Sequence, residues 1–225
     1  MTLHHDHKTI WMIGGTGLIG RQLVQDLCAK GHHVVSLLRR PSGQENARLS
    51  EFHIQFDDLV AQGSAALPTL PKPDALISCL GSTQNAAGSK EAFYRIDHDY
   101  ILAFAKAGLA KGANHMMIVS SVSANRDASS FYLRVKGEIE SHLEALHFQR
   151  LDIFRPGLLL GERPEHRFAE QLGAKILPAI APVLPFKYRA IQSKDVAKAM
   201  TARLIEEDQG HYVFHNNDIN SLARL

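Results

Sequence analysis

Thr9-Ile10-Trp11-Met12-Ile13-Gly14-Gly15-Thr16-Gly17-Leu18-Ile19-Gly20 is the stretch that decides the fold. The apolar run Thr9 to Ile13 has the length of a strand and is β-branched at both ends. Glycines follow at once, and then Leu18, Ile19, Leu23, Val24 and Leu27 recur with helical spacing. The order is strand, turn, helix. Gly14, Gly17 and Gly20 stand at the first, fourth and seventh places of the turn, the context in which a glycine motif becomes informative. Gly14 suits the tight turn, Gly17 lets backbone approach a pyrophosphate, and Gly20 lets the helix pack close to the strand. The free N–H groups of the first helical turn, around Thr16, Leu18 and Ile19, would then face negative charge. A plain strand-to-helix turn manages with one glycine or a capping residue, so three at fixed intervals favour a bound dinucleotide.

Working outward, Gly31 closes the helix and Val34 to Leu38 is a second apolar run of strand length. A βαβ unit with so short a return has parallel strands and a right-handed crossover. The second strand ends in Leu37-Leu38-Arg39-Arg40, with no Asp or Glu to accept a ribose 2′-hydroxyl. Arginines there suit the 2′-phosphate of NADP(H), which makes NADP(H) the expected cofactor and Arg39 and Arg40 its discriminating residues. Asp57, or Asp58, after the third strand, is a candidate for the adenine pocket, although either could cap a turn.

The alternation continues with strands near His53 to Phe56, Ala75 to Cys79, Met116 to Ser120, Leu151 to Phe154 and His211 to Phe214. Helices are expected from about Glu91 to Lys111, Tyr132 to Leu146 and Lys194 to Glu206. The pattern predicts an α/β fold: a doubly wound, mainly parallel Rossmann sheet with helices on both faces. Ala61 to Pro73 reads as a surface loop. Leu177 to Phe186, broken by Pro178, Pro182 and Pro185, reads as part of a small substrate-side cap lying mainly within residues 157–190. The chain of 225 residues, 45% hydrophobic, is read as one domain over residues 1–225.

Tyr132-Leu133-Arg134-Val135-Lys136 places a phenol and an ammonium four residues apart, on one face of the expected helix. An ammonium beside a phenol favours phenolate, which suits proton exchange with a carbinol. The preceding strand ends in Ser120-Ser121, so its hydroxyls emerge at the carboxyl edge of the sheet, where open α/β folds bind ligands.

With these residues the chain resembles an atypical short-chain dehydrogenase/reductase, in the group of Tat-interacting, tumour-suppressor oxidoreductase-like proteins. The likeness covers Gly14 to Gly20, Arg39-Arg40, Cys79-Leu80-Gly81-Ser82-Thr83, Ile96-Asp97-His98-Asp99-Tyr100, Ser120-Ser121, Tyr132 to Glu138 and Phe154-Arg155-Pro156-Gly157. The resemblance implies that Tyr132 is the general acid/base, that Lys136 holds the nicotinamide ribose and tunes Tyr132, and that Ser121, ahead of Ser120, orients a substrate carbonyl. It also implies that Leu80, Gly81, Ser82 and Thr83 line the nicotinamide side of the cofactor and that Pro156-Gly157 lie beside the carboxamide. The chain departs from its relatives at Asp97, where many have an asparagine that supports a proton relay, and at Ile13, where threonine is frequent.

Composition bounds the alternatives. A net charge of +2 without a long basic run does not point to nucleic acid, and no apolar stretch reaches the roughly 20 residues of a membrane span. Met1 to Lys8 is His-rich rather than signal-like, so a soluble, unprocessed chain is expected; His4, His5 and His7 there carry no metal assignment. Two sparse cysteines, Cys28 and Cys79, suggest a reducing, cytoplasmic setting. Arg163, His166 and Arg167 could meet an anionic small-molecule substrate or sit in a solvated loop. Two functions follow: an NADP(H)-dependent oxidoreductase working on a carbonyl or carbinol, or an NADP(H)-binding regulator whose protein contacts carry its role.

Overall fold

Along β1 (Thr9–Ile13) successive side chains point to opposite faces of the sheet, and both faces are apolar. Trp11 and Ile13 enter one core, whereas Ile10 and Met12 enter the other. The same alternation runs through β2 (His33–Leu38), β4 (Ala75–Ser78), β5 (His115–Val119) and β6 (Arg150–Arg155), so these strands are covered on both sides. In the computed structural model, which describes residues 7–161 and 188–225, they join β3 (Leu49–His53) and β9 (Gly210–His215) in one seven-stranded sheet. The order is β3-β2-β1-β4-β5-β6-β9, and every pairing is parallel.

The helices divide between the faces. α1 (Leu18–Ala29) packs with a later helix, α7 (Ser193–Leu204), over Ile10, Met12, Ile77 and Met117. On the opposite face α2 (Phe56–Gln62), α5 (Tyr100–Ala110) and α6 (Phe131–Glu144) cover Trp11, Leu76, Met116 and Ile153. Gly108 lets α5 sit down on β4, because a Cβ there would meet the Leu76 methyls at 2.4 Å. The doubly wound α/β architecture is as expected. Chain order reverses between β1 and β4, which opens a crevice at the carboxyl edge.

Several boundaries differ from the sequence expectation. The third strand lies at Leu49–His53 rather than His53 to Phe56; it is an edge strand, partly exposed, so no unbroken apolar run marks it. Residues expected in a loop include the end of α2 and a 3₁₀ turn at Gly63–Ala66. The long helix expected over Glu91 to Lys111 is present, but as α4 (Lys90–Tyr94), a π-helical turn (Arg95–Asp99) and α5. A terminal helix, α8 (Asn216–Leu222), was not anticipated. The cap expected within 157–190 is bracketed by a small parallel pair, β7 (Leu159–Leu160) and β8 (Ile191–Gln192). Arg163, His166, Arg167 and the Leu177 to Phe186 stretch lie outside the described residues.

At the amino edge of the sheet a buried cluster ties three strands together. Asp152 receives His115 at 2.9 Å and Arg150 at 2.8 Å, and Arg203 approaches it at 3.4 Å while lying over the Tyr212 ring. Burial holds the His115 imidazole below its ordinary value, more than Asp152 raises it. In the unfolded chain the same imidazole takes up a proton near pH 6.5. Its contribution to stability is therefore complete above that pH and is lost as pH falls toward the folded value. The urea midpoint is expected to drop between pH 7 and pH 5, and His115→Gln to flatten that drop. An unaltered pH slope in the variant would remove His115 as the cause.

Candidate functional site

The strand β1 ends where Gly14 turns the chain with φ of +80°, a conformation glycine adopts without strain. A Cβ on Gly14 would lie 2.3 Å from the Cys79 carbonyl carbon, so β1 and β4 close on each other here. Gly20, in the first turns of α1, would place a Cβ 2.1 Å from the Gly14 carbonyl oxygen. Both contacts are with backbone, which cannot swing aside, and only hydrogen fits. At the helix start the capping residue is Gly17; among the described residues no side chain caps its first N–H groups, and the first turn carries no acid. The cradle therefore offers backbone donors and a positive dipole end to an anion, as a dinucleotide pyrophosphate requires. Thr16 is exposed at its mouth, Leu18 is half-buried and Ile19 is buried beneath.

A strap from the end of β2 lies across this turn. Gln44 donates to the Gly15 carbonyl at 3.2 Å, and Arg21 donates to Thr16 at 3.3 Å and to the Ser42 carbonyl at 3.1 Å. Ser42 in turn donates to Glu51 of β3. Arg39 and Arg40 sit exposed where the strap begins, on the same edge as the glycine turn. Asp57, in the first turn of α2, accepts from Tyr100 at 2.7 Å and pairs with Arg95 at 2.6 Å. Tyr100 and Arg95, with a smaller effect from Arg39, hold its carboxyl below the usual value.

Beyond β4 the chain runs Cys79-Leu80-Gly81-Ser82-Thr83 along the crevice. Leu80 packs on the core, Gly81 is exposed, and Thr83 caps the short helix α3 (Gln84–Ala87) by accepting from Ala86 at 3.1 Å. A Cβ on Gly81 would stand 3.7 Å from Lys136 Nζ and 3.6 Å from Asp97 Oδ1. The β4 end thus touches the glycine turn at one residue and the lysine two residues later.

Lys136 and Asp97 form a buried ion pair at 2.8 Å, with side chains 4% and 0% exposed. Asp97 belongs to the π-helical turn, whose wider spacing interrupts the regular helix, and its other oxygen accepts the Ser82 N–H at 2.9 Å. Burial alone would push the Lys136 ammonium down, but Asp97, Tyr132 and Glu140 hold it above the ordinary lysine value. Tyr132, one turn before Lys136, is half-buried with its ring 5.8 Å from that of Phe93. Gly137 lets this helix pack against the loop after β5, since a Cβ there would strike the Asn125 and Arg126 backbone at 2.2 Å.

The two serines at the end of β5 have different surroundings. The buried Ser120 hydroxyl donates to Glu140, which also takes Arg155 through both carboxylate oxygens. Ser121 is half-buried, and among the described residues its hydroxyl makes one long contact, 3.3 Å to the Val122 carbonyl. Pro156 is buried beside them, its carbonyl accepting from Val122 at 3.0 Å. Glu140 and Arg155 were not assigned from the sequence, although Tyr132, Lys136 and Glu140 form a line at intervals of four that could have shown the third member. Asn216, also unassigned, accepts the Gly157 N–H at 2.9 Å and donates to the Arg189 carbonyl at 2.7 Å. It pins both ends of the chain that leaves and re-enters the sheet edge. Among the described residues no cluster with metal-ligand chemistry occurs, and no helix is long and apolar enough to cross a membrane.

Comparison with known proteins gives this geometry a context. A family model described as HIM1 matches residues 41–187. The rat protein HTATIP2 is 31% identical over 206 residues, covering 91% of this chain and 84% of that protein. Protein fmp52, mitochondrial, of Emericella nidulans is 35% identical over 176 residues, covering 76% of each. Among solved structures, the Bordetella bronchiseptica enzyme WbmH in complex with NAD+ has a TM-score of 0.69 at 15% identity, over 93% of this chain and 76% of that one. The human epimerase family protein SDR39U1 with NADPH has a TM-score of 0.58 at 20% identity, over 92% and 74%. Both share the Rossmann-type fold. The expectation of a cytoplasmic setting is corrected, because several fungal relatives bear the word mitochondrial in their names; two sparse cysteines do not tell one compartment from another.

Proposed function

The chain belongs to the HIM1 family, and from that premise we propose that it is an NADP(H)-dependent oxidoreductase of the atypical short-chain type, working as one dinucleotide-binding domain over residues 1–225. The observation that carries the proposal is the continuity of β4's end with two structures: Cys79 against Gly14, and Gly81 against Lys136. A dinucleotide laid with its pyrophosphate on the glycine cradle would run along Leu80 to Thr83 toward Tyr132 and Lys136. Gly14, Thr16, Gly17, Leu18, Ile19 and Gly20 would hold the pyrophosphate, and Pro156 would bound the far end. When bound, the cofactor supplies or accepts a hydride. Tyr132 exchanges a proton with the substrate oxygen, Ser121 donates a hydrogen bond to that oxygen, and Lys136 holds the ribose hydroxyls. The substrate is a small carbonyl or carbinol compound.

Arg39 and Arg40 are proposed to pair with the 2′-phosphate, since both are exposed at the end of β2, where Leu37-Leu38-Arg39-Arg40 carries no acid. A hydrogen bond to a charged group is worth about 1.5–3 kcal/mol, or roughly 10–100-fold in affinity. Calorimetric titration of Arg39→Ala/Arg40→Ala should therefore weaken NADP+ by at least that lower factor and leave NAD+ nearly unaltered. Tighter binding of NAD+ than of NADP+ by the unaltered protein would overturn the assignment. The reaction itself is tested by following NADPH oxidation across a panel of aldehydes and ketones. Tight NADP+ binding with no turnover would favour the regulatory reading instead.

A further inference from the structure

Arg39 and Arg40 occupy a segment fixed at both ends. On one side Leu38 closes β2, in register with His53 of β3. On the other, Ser42 is buried with each of its polar groups engaged. Its N–H donates to Glu51 Oε2 at 3.2 Å and its hydroxyl donates to Glu51 Oε1, so one carboxylate takes both donors. The same hydroxyl accepts the Gln44 N–H at 2.9 Å, and the Ser42 carbonyl accepts from Arg21 at 3.1 Å. Pro41 has a locked φ and restricts Arg40 before it to extended backbone, which leaves Arg39 as the one residue between the anchors with ordinary freedom. Glu51 is itself held by strand pairing. It stands opposite Ser36 of β2, and a Cβ on Gly15 would lie 2.9 Å from the Ser36 hydroxyl. The grip on Ser42 and the seat of the glycine turn thus rest on the same two strands.

We infer that Glu51 is a positioning residue: through Ser42 it holds the backbone that carries Arg39 and Arg40, and so sets the preference for NADP(H) over NAD(H). This role rests on the reading of Arg39 and Arg40 as the 2′-phosphate pair. A carboxylate near that phosphate would by its charge alone weaken binding. The two hydrogen bonds from Ser42 give it the opposite effect. Arginines on a free loop lose conformational freedom when the phosphate arrives, whereas arginines on an anchored loop have lost much of it on folding. NAD(H) has no 2′-phosphate and gains nothing from the anchoring. Glu51 therefore acts on one nucleotide and leaves the other nearly untouched.

Calorimetric titration with NADP+ and with NAD+ is run on the unaltered protein, Glu51→Gln and Ser42→Ala. Glutamine keeps the length of the side chain but offers one acceptor oxygen in place of two. Alanine at position 42 keeps the Glu51 charge and removes the hydroxyl that it grips. If release leaves the strap in its binding placement about a tenth of the time, NADP+ affinity falls about tenfold in each variant while NAD+ stays within about twofold. The ratio of the two affinities is the readout, because a merely structural loss weakens both nucleotides alike. Glu51 is half-buried on an edge strand, so Glu51→Gln is expected to fold. If it does not, Ser42→Ala decides. A preserved preference for NADP+ with an unaltered ratio, whether or not both nucleotides weaken together, rejects Glu51 alone. Tighter NADP+ binding by Glu51→Gln also overturns its role, since that is the result of charge without anchoring. Weaker binding of NADP+ than of NAD+ by the unaltered protein would reject Arg39 and Arg40 as the phosphate pair, and the role of Glu51 with them.

Discussion

Tyr132→Phe is expected to lower kcat for carbonyl reduction by roughly 10²–10⁴-fold, the range that a positioned proton donor supplies. The phenylalanine ring keeps the packing of Tyr132 on Phe93, where the centroids stand 5.8 Å apart, and deletes one oxygen. Binding of NADP+ should stay within about twofold, because the change removes an interaction made to the reacting oxygen and not to the cofactor. Steady-state kinetics beside calorimetry separate the two quantities. A variant that retains most of its kcat would show that another group donates the proton, and the half-buried Ser121 would be the first to examine. Ser120 is a poorer alternative, since Glu140 already holds its hydroxyl.

Gly14→Ala should act on cofactor and fold together. A non-glycine residue at φ +80° costs about 1–3 kcal/mol in backbone strain. The added methyl would also stand 2.3 Å from the Cys79 carbonyl carbon, so β1 and β4 must part, at a further cost of about 1–3 kcal/mol for overpacking. Parting them opens the cradle, and NADP+ affinity is expected to fall by at least two orders of magnitude, or about 2.7 kcal/mol. Thermal unfolding with and without NADP+ gives both effects: a lower Tm for the variant, and loss of the ligand-induced rise. A normal rise on adding NADP+ would mean that the nucleotide lies elsewhere. Gly43→Ala is a suitable control, because that glycine also has positive φ, yet a Cβ there would meet nothing within 4 Å.

The central strands were legible because burial on both faces leaves unbroken apolar runs, as in Ile10 to Ile13 or Met116 to Val119. The third strand was misplaced for the opposite reason: Leu49-Ser50-Glu51-Phe52-His53 is an edge, its side chains partly exposed, and its sequence carries little pattern. Spacing brought Tyr132 and Lys136 onto one helical face without difficulty. Asp97 was seen only as a departure from relatives, because its partner is 39 positions away in sequence and the π-helical turn that aims it inward has no local signature. Arg155 and Glu140 were similarly hidden, a pair made between the end of β6 and the middle of α6. Tertiary pairing of charges is written across the chain, and periodicity registers only neighbours.

The position of Asn216 has a consequence for biosynthesis. The glycine turn and the β4 end that closes on it lie within the first 80 residues, whereas α7, which packs with α1 over that face of the sheet, and Asn216 come from the last third of the chain. The backbone at Gly157 and Arg189, however, waits for a side chain made some sixty and thirty residues later. In a nascent chain, the two segments that Asn216 joins are thus synthesised well before the residue that links them.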